Sequence, residues 1–242
     1  MTWIVVIPIV FAAATLGGVL GFGTGVIVLA LLTLMVGAAE AIPVLAIAMI
    51  FANGSRAFFS WKEIDWKAFI AYGVPGAVSS VLGAEVFLRI EARWLPAIVG
   101  ALIIAMVPLR RFVKRWNVKA GLVHLPFVAL AKGFVSGVGG ASGPIAAPFL
   151  ISYGLVKGAY VATEGLGAML GHVTRSGTYF FGGALTQEMA WFGLGLGVVM
   201  VGGTYVGRKV LDRLDARQFI VVVEGALLAA GVYLLASTLW AG

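Results

Sequence analysis

GFGTGVIVLALL, residues 21–32, carries three glycines at alternate positions inside an otherwise unbroken apolar run. Gly21, Gly23 and Gly25 have the spacing of a phosphate-cradling loop, but such a loop needs a preceding strand, a following amphipathic helix and a charged partner downstream. The flanks are TWIVVIPIVFAAATLGGVL and TLMVGAA, and the first charged side chain in the chain is Glu40. The glycine break therefore lies within a segment that water rejects.

The whole chain shares that character. Its 242 residues are 61% hydrophobic and only 11% charged, with a mean hydropathy of +1.05. A soluble domain of this size would leave large apolar patches exposed, whereas repeated stretches of about 20 apolar residues match a bilayer core. The composition is that of an all-α polytopic membrane protein with lipids as its surroundings. Thirty-four glycines suit close helix packing and irregular backbone in lipid. No basic region or polar cleavage zone marks a signal peptide near the start. The absence of cysteine excludes disulfides and thiolate metal sites, and His124 and His172 form no cluster of metal-ligand spacing. No metal and no cofactor is expected. The net charge of +7 would suggest nucleic acid in a soluble protein, but here the basic residues sit in short loops, where topology explains them.

The apolar stretches run over 3–37, 41–59, 68–88, 94–109, 123–152, 158–183, 189–207 and 218–240. As one helix, 3–37 would be about 50 Å long against a hydrocarbon core of about 30 Å. The 123–152 stretch is also overlong, and each oversized stretch has its glycine cluster near the middle. If every stretch crossed once, the loop Lys and Arg residues would divide eight against seven between the two sides. If 3–37 and 123–152 each fold back at their glycines, the division becomes thirteen against two. The positive-inside rule favours the second arrangement. It puts both termini outside, the loops 56–67, 109–120 and 207–217 in the cytoplasm, and three full crossings plus a re-entrant pair in each half.

The halves, 1–120 and 121–242, resemble each other. GGVLGFGTG lies over GFVSGVGGASG, so that Gly17, Gly21 and Gly23 fall on Gly133, Gly137 and Gly139, with a small insertion after that. NGSR (53–56) lies over HVTR (172–175), matching Asn53 with His172 and Arg56 with Arg175. An odd number of crossings per half inverts a repeat, a plan on which secondary transporters bind substrate at mid-membrane. Backbone that leaves the helix inside a bilayer lines a cavity or is sealed in protein. Half-helix amino ends offer free N–H groups and a positive dipole end, which suits a small anion. On this reading Gly23, Thr24 and Gly25, and Gly139 through Pro144 with Gly140, Ser142 and Gly143, are irregular backbone, while Gly17, Gly21, Gly133 and Gly137 pack helices.

LGFGTGVIVLALL, paired about 115 residues later with KGFVSGVGGASGPIAAPFL, resembles the paired signatures of the sulfite exporter TauE/SafE family of membrane permeases. The likeness extends over nearly the whole chain, including the basic stretch RRFVKRWNVK between the two. It implies transport of sulfite, sulfonates or related sulfur-containing organic anions across the cytoplasmic membrane. The family's run of glycines followed by proline is met by Gly139, Gly140, Gly143 and Pro148. In the first half the proline position is Ala30, and Thr24 interrupts the glycines.

Charges at bilayer depth are expensive and usually functional. Along VATEGLGAMLGHVTRSGTYFFGG (161–183), helical spacing puts Glu164, His172 and Arg175 on one broad face. Arg175 is the prime anion ligand, because guanidinium stays charged and grips oxyanions with a planar fork. Its bland alternative is neutralising a buried carboxylate. Glu164 and His172 are the candidates for coupling to a proton, although Glu164 also lies near the start of its span, by the headgroups. His172 is also a candidate donor to the substrate, with a satisfied packing histidine as its alternative. Asn53 and Arg56 are the first-half counterparts, with snorkelling of Arg56 to the interface as the alternative. Lys132, one turn before the second glycine cluster, faces either the anion or the surface. Ser136, Ser142 and Thr24 carry hydroxyls able to donate to an oxyanion. The seven tryptophans, near span edges, fit an aromatic belt.

No Gly-Lys-Ser/Thr ending follows either glycine cluster, so nothing resembles an ATP-binding loop. The leading reading is a secondary transporter, an exporter of a small sulfur-containing anion. A passive anion channel and a membrane-embedded enzyme are the alternatives.

Overall fold

The computed structural model describes residues 3–95, 97–98, 101, 120–140, 142–223 and 225. Most of the expected stretch 94–109, nearly all of the basic loop 109–120 and most of 218–240 lie outside the described residues. All regular structure among the described residues is helical. The order is α1 (Trp3–Leu20), α2 (Thr24–Val36), α3 (Ala38–Phe59), α4 (Trp66–Arg89), α5 (Leu125–Gly139), α6 (Gly143–Tyr153), α7 (Lys157–Phe181) and α8 (Gln187–Arg213), with short 3-10 turns between some of them.

Four helical stretches, Ala38–Phe59, Trp66–Arg89, Leu122–Gly139 and Gln187–Arg213, are long and apolar enough to cross a membrane. Their outward faces carry Phe58, Ile70, Val78, Leu82, Phe127 and Val198, all largely exposed. Trp61, Trp66, Trp94 and Trp191 are more than half exposed and sit at or near helix ends, where an indole meets both headgroup and hydrocarbon. α7 is as long but polar, and its burial inside the bundle explains why it tolerates Glu164, His172 and Arg175.

The two overlong stretches are both divided. The first is cut at Gly21-Phe22-Gly23, with φ of +76° at Gly21 and +99° at Gly23. These left-handed values favour glycine and stop the helix. The second break begins at Gly140, with φ of +78°, and α6 starts after Ser142. At 1.5 Å per residue, α2 is about 20 Å long and α6 about 16 Å, too short to cross a core of about 30 Å. Thr24 reaches back eleven residues, its hydroxyl donating to the Ala13 carbonyl at 3.0 Å, so α2 begins folded against α1. These boundaries correct the reading of local backbone. Thr24 and Gly25 belong to the first turn of α2, Gly143 and Pro144 to that of α6, and Gly139 closes α5.

Helix boundaries recur along the chain. Leu20 and Gly139 end α1 and α5, Thr24 and Gly143 begin α2 and α6, and Ala38 and Lys157 begin α3 and α7. Each pair is 119 residues apart (143 − 24, for example), the offset that also separates NGSR from HVTR. The register of the glycine clusters is therefore corrected by three: Gly17 and Gly21 match Ser136 and Gly140, rather than Gly133 and Gly137. Packing follows the same exchange, since α4 lies on α5 and α7 while α8 lies on α1 and α3.

Glycine makes these contacts close. A Cβ on Gly137 would lie 2.7 Å from the Ala84 nitrogen, and one on Gly203 would lie 2.8 Å from the Ala14 Cβ. Backbone against backbone is the small-residue packing that holds helices together in lipid. Gly133 and Gly137 serve this role as expected, whereas Gly21 belongs to the break, its missing Cβ leaving room for the Tyr160 ring. α4 and α8 are capped at their starts, with Asp65 accepting from the Ala68 N–H at 2.9 Å and Thr186 from the Met189 N–H at 3.3 Å.

A candidate anion site at the helix breaks

Both breaks open onto one cavity of about 50 Å³. At ~10–15 Å³ for a water, that is room for a few waters or one small oxyanion. Of the residues singled out from sequence, Gly23, Thr24, Gly25, Asn53, Arg56, Lys132, Gly140, Ser142, Gly143, Glu164, His172 and Arg175 all line it. Gly139 does not, since it is the last residue of α5 rather than part of the break. Met49, Tyr72 and Ser80 line it as well, and sequence reading misses them. The available signal for Ser80 was the small-residue run GVPGAVSSVLGA (73–84), which places hydroxyls in mid-helix at a close-packed face.

Arg175 is 1% exposed and holds the carboxyl end of α5. Its Nη1 donates to the Ser136 carbonyl at 2.7 Å and to the Ser136 hydroxyl, and its Nη2 donates to the Gly140 carbonyl at 3.2 Å. Nη2 also lies 2.6 Å from His172 Nδ1, and since guanidinium only donates, that ring nitrogen accepts. Arg56 does the same for α1, donating to the carbonyls of Gly17, at 3.5 Å, and Gly21. It is buried, so it does not snorkel to the interface. The Gly17 and Ser136 carbonyls already accept the Gly21 and Gly140 N–H groups at 2.9 Å, so each arginine adds a second bond there and also binds the carbonyl of the break glycine, Gly21 or Gly140.

Glu164 is not the partner of Arg175. Its Oε1 accepts from Lys132 Nζ at 2.9 Å, and its Oε2 lies 3.5 Å from Arg56 Nη1. At 2% exposure it is inside the bundle, not among headgroups. Lys132 also sits 5.1 Å from the centre of the Tyr72 ring and faces the cavity rather than the surface. Among the described residues, three buried cations, Arg56, Lys132 and Arg175, thus face a single carboxylate. Uncompensated charge in such surroundings is costly, so the cavity favours an anion.

Donors for that anion remain free. The N–H groups of the first turn of α2 have no intrahelical acceptor, the Gly23 cap contributing no side-chain bond. α6 offers less, because Pro144 has no N–H and the Ile145 N–H is taken by the Ser142 carbonyl at 3.1 Å. The Ser142 hydroxyl, both amide atoms of Asn53 and Arg175 Nε are buried without a hydrogen-bond partner. Thr24 and Ser136 have their hydroxyls engaged, the former on backbone and the latter with Arg175. Away from the cavity, His124 accepts from the Gly121 N–H at 3.0 Å and Glu85 pairs with Arg89 at 3.5 Å, both on the exposed surface.

Long apolar helices around a buried cavity lined by charged side chains define an integral membrane protein. The chain belongs to the sulfite exporter TauE/SafE family, whose model matches residues 6–234. Neither the curated proteins nor the solved structures compared with it give a match.

Proposed function

We propose that the protein is a secondary transporter of the cytoplasmic membrane that exports a small sulfur-containing anion, sulfite or a short sulfonate, by alternating access. The observation that carries this reading is the cavity itself, where three cations oppose one carboxylate beside the amino ends of two broken helices. Arg175 and Lys132 supply full charge, the first turn of α2 supplies N–H donors, and Ser142 and Asn53 supply hydrogen bonds that fix orientation. The small volume suits a compact head with three oxygens on sulfur.

Alternating access requires two arrangements of similar energy, and inverted repeats provide them by exchanging the conformations of the halves. The contacts of α3 with α7 support such a relation between 1–120 and 121–242. His172 bonds to the Ala46 backbone, and a Cβ on Gly165 would lie 3.0 Å from the Asn53 carbonyl oxygen. As the position rises along α3 it falls along α7, so these two matched helices run antiparallel. Re-entrant α1–α2 and α5–α6 pairs then place both termini outside.

Purified protein in liposomes decides the class. Preloaded sulfite or methanesulfonate should drive transient uphill uptake of labelled anion, and uptake should saturate. Uptake that follows only the gradient and does not saturate would identify a channel instead. Chemical conversion of the anion without transport would identify an enzyme.

A further inference from the structure

The ion pair Lys132–Glu164 has no counterpart in the first half. At the matching offset of 119 residues, 132 corresponds to Ala13 and 164 to Leu45. Ala13 is 2% exposed and Leu45 0%, and both belong to one apolar core cluster. The first half therefore packs the same two helical positions with hydrocarbon alone. Since replacing a buried ion pair with apolar side chains is often neutral or stabilising, stability alone is a weak account of the charges. They are present for another reason.

Position supplies that reason. Glu164 holds the two cations, Lys132 and Arg56, that an anion entering the cavity would contact. It is in effect an anion tethered to the protein, competing with the free one for the same donors. Around it stand Lys132 on α5, Arg56 on α3, Tyr72 on α4, and Tyr160, His172 and Arg175 on its own helix. The Tyr72 and Tyr160 hydroxyls are buried without hydrogen-bond partners, so each can accept from a protonated carboxyl.

We infer that Glu164 is the proton-binding site through which anion binding is coupled to the proton gradient. The inference rests on the cavity being the anion site. When the anion takes Lys132 and Arg56, Glu164 loses its counter-charges and gains a like charge beside it, and it binds one proton from solution. Reciprocity requires that protonation of Glu164 in turn tightens anion binding. Anion and proton then occupy the cavity together and cross the membrane as one load, electroneutral for a monoanion, so that export runs down the anion's own outward gradient and an inward proton gradient opposes it.

Methanesulfonate is the probe of choice, because it stays fully ionised between about pH 6 and 8 and any proton change belongs to the protein. Calorimetry of its binding to purified protein, in buffers of different ionisation enthalpy, counts the protons. Wild type should take up close to one proton per anion, with affinity rising by up to about tenfold for each pH unit of acidification. Glu164→Gln should bind the anion with no proton uptake and with affinity independent of pH. Because that variant strands two cations, Lys132→Ala/Glu164→Leu is made alongside it, reproducing the pair found in the first half. It should fold and show the same pH-independence. Binding by wild type without proton uptake, or uptake that persists in either variant, overturns the inference. So does failure of the Ala/Leu variant to fold, which would make the pair a structural one. If wild type binds no methanesulfonate, sulfite or sulfate at all, the anion site itself is refuted, and the inference with it.

Discussion

Arg56 and Arg175, 119 residues apart, each bond to the carbonyls of residues 39 and 35 positions earlier. Each ties the third helix of its half, α3 or α7, to the carboxyl end of the helix before the break. The environments then diverge, because Arg56 approaches Glu164 whereas Arg175, among the described residues, bonds to carbonyls, the Ser136 hydroxyl and His172 and to no carboxylate. The positive charge left without a carboxylate is that of Arg175.

That divergence makes Arg175 the sensitive position. Lysine keeps the charge but cannot span the Ser136 and Gly140 carbonyls with a planar fork. Arg175→Lys is expected to fold and to bind sulfite or methanesulfonate about tenfold more weakly, ~1.4 kcal/mol. Arg175→Ala should lose far more. The double variant Arg175→Ala/Glu164→Gln should remain far weaker than wild type, regaining only the affinity that the competing carboxylate withheld at Lys132 and Arg56. Titration calorimetry on the four proteins checks this, and recovery to wild-type affinity in the double variant would make Arg175 structural.

Ser142 and Asn53 permit a cleaner separation of binding from folding. Their side-chain polar atoms are buried and unpartnered, so removing the hydroxyl of Ser142 forfeits no bond in the protein. Ser142→Ala should leave the thermal midpoint unchanged or slightly raised, while anion affinity falls about fivefold, ~1 kcal/mol. Asn53→Ala should weaken binding by a similar factor. Unchanged affinity in both would place the anion elsewhere in the cavity.

The glycines divide into two kinds with opposite signatures. A methyl at Gly137 would drive into the α4 backbone, 2.8 Å from the Gly83 carbonyl carbon, so Gly137→Ala should lower folded yield by overpacking, ~1–3 kcal/mol. Transport per folded molecule should change little. A methyl at Gly23 meets nothing within 4 Å but must adopt φ near +99°, which strains any L side chain by roughly 1–2 kcal/mol. Gly23→Ala should relax the break, realign the first N–H groups of α2 and reduce transport per folded molecule. Vesicle flux normalised to monodisperse protein distinguishes the two.

Topology can be read chemically, since the chain contains no cysteine. Single cysteines at Lys62, Gln187 and Arg217, all exposed, should react with an impermeant maleimide only from inside, outside and inside, respectively. Labelling of position 62 or 217 from outside in intact cells would refute the paired re-entrant arrangement.

Hydrophobic content and charge placement were enough to establish a helical membrane protein and to locate two interrupted spans. Both are properties of the chain that no packing can reverse: hydrocarbon must leave water, and overlong runs must break or tilt. The matched NGSR and HVTR segments and the face shared by Glu164, His172 and Arg175 were likewise legible, because helical periodicity is local. The exact break, three residues from the best match of glycines, was not. Glycine permits both close packing and left-handed backbone, and Gly137 and Gly140 are told apart only by what stands opposite them, α4 in one case and the cavity in the other. The partner of Glu164 was also beyond reach of sequence. Helical spacing offered Arg175 on the same helix, whereas Lys132 and Arg56 arrive from α5 and α3, 32 residues before it and from the other half of the chain. Which charges meet inside a membrane protein depends on how helices distant in sequence cross, and that is decided by tertiary packing alone.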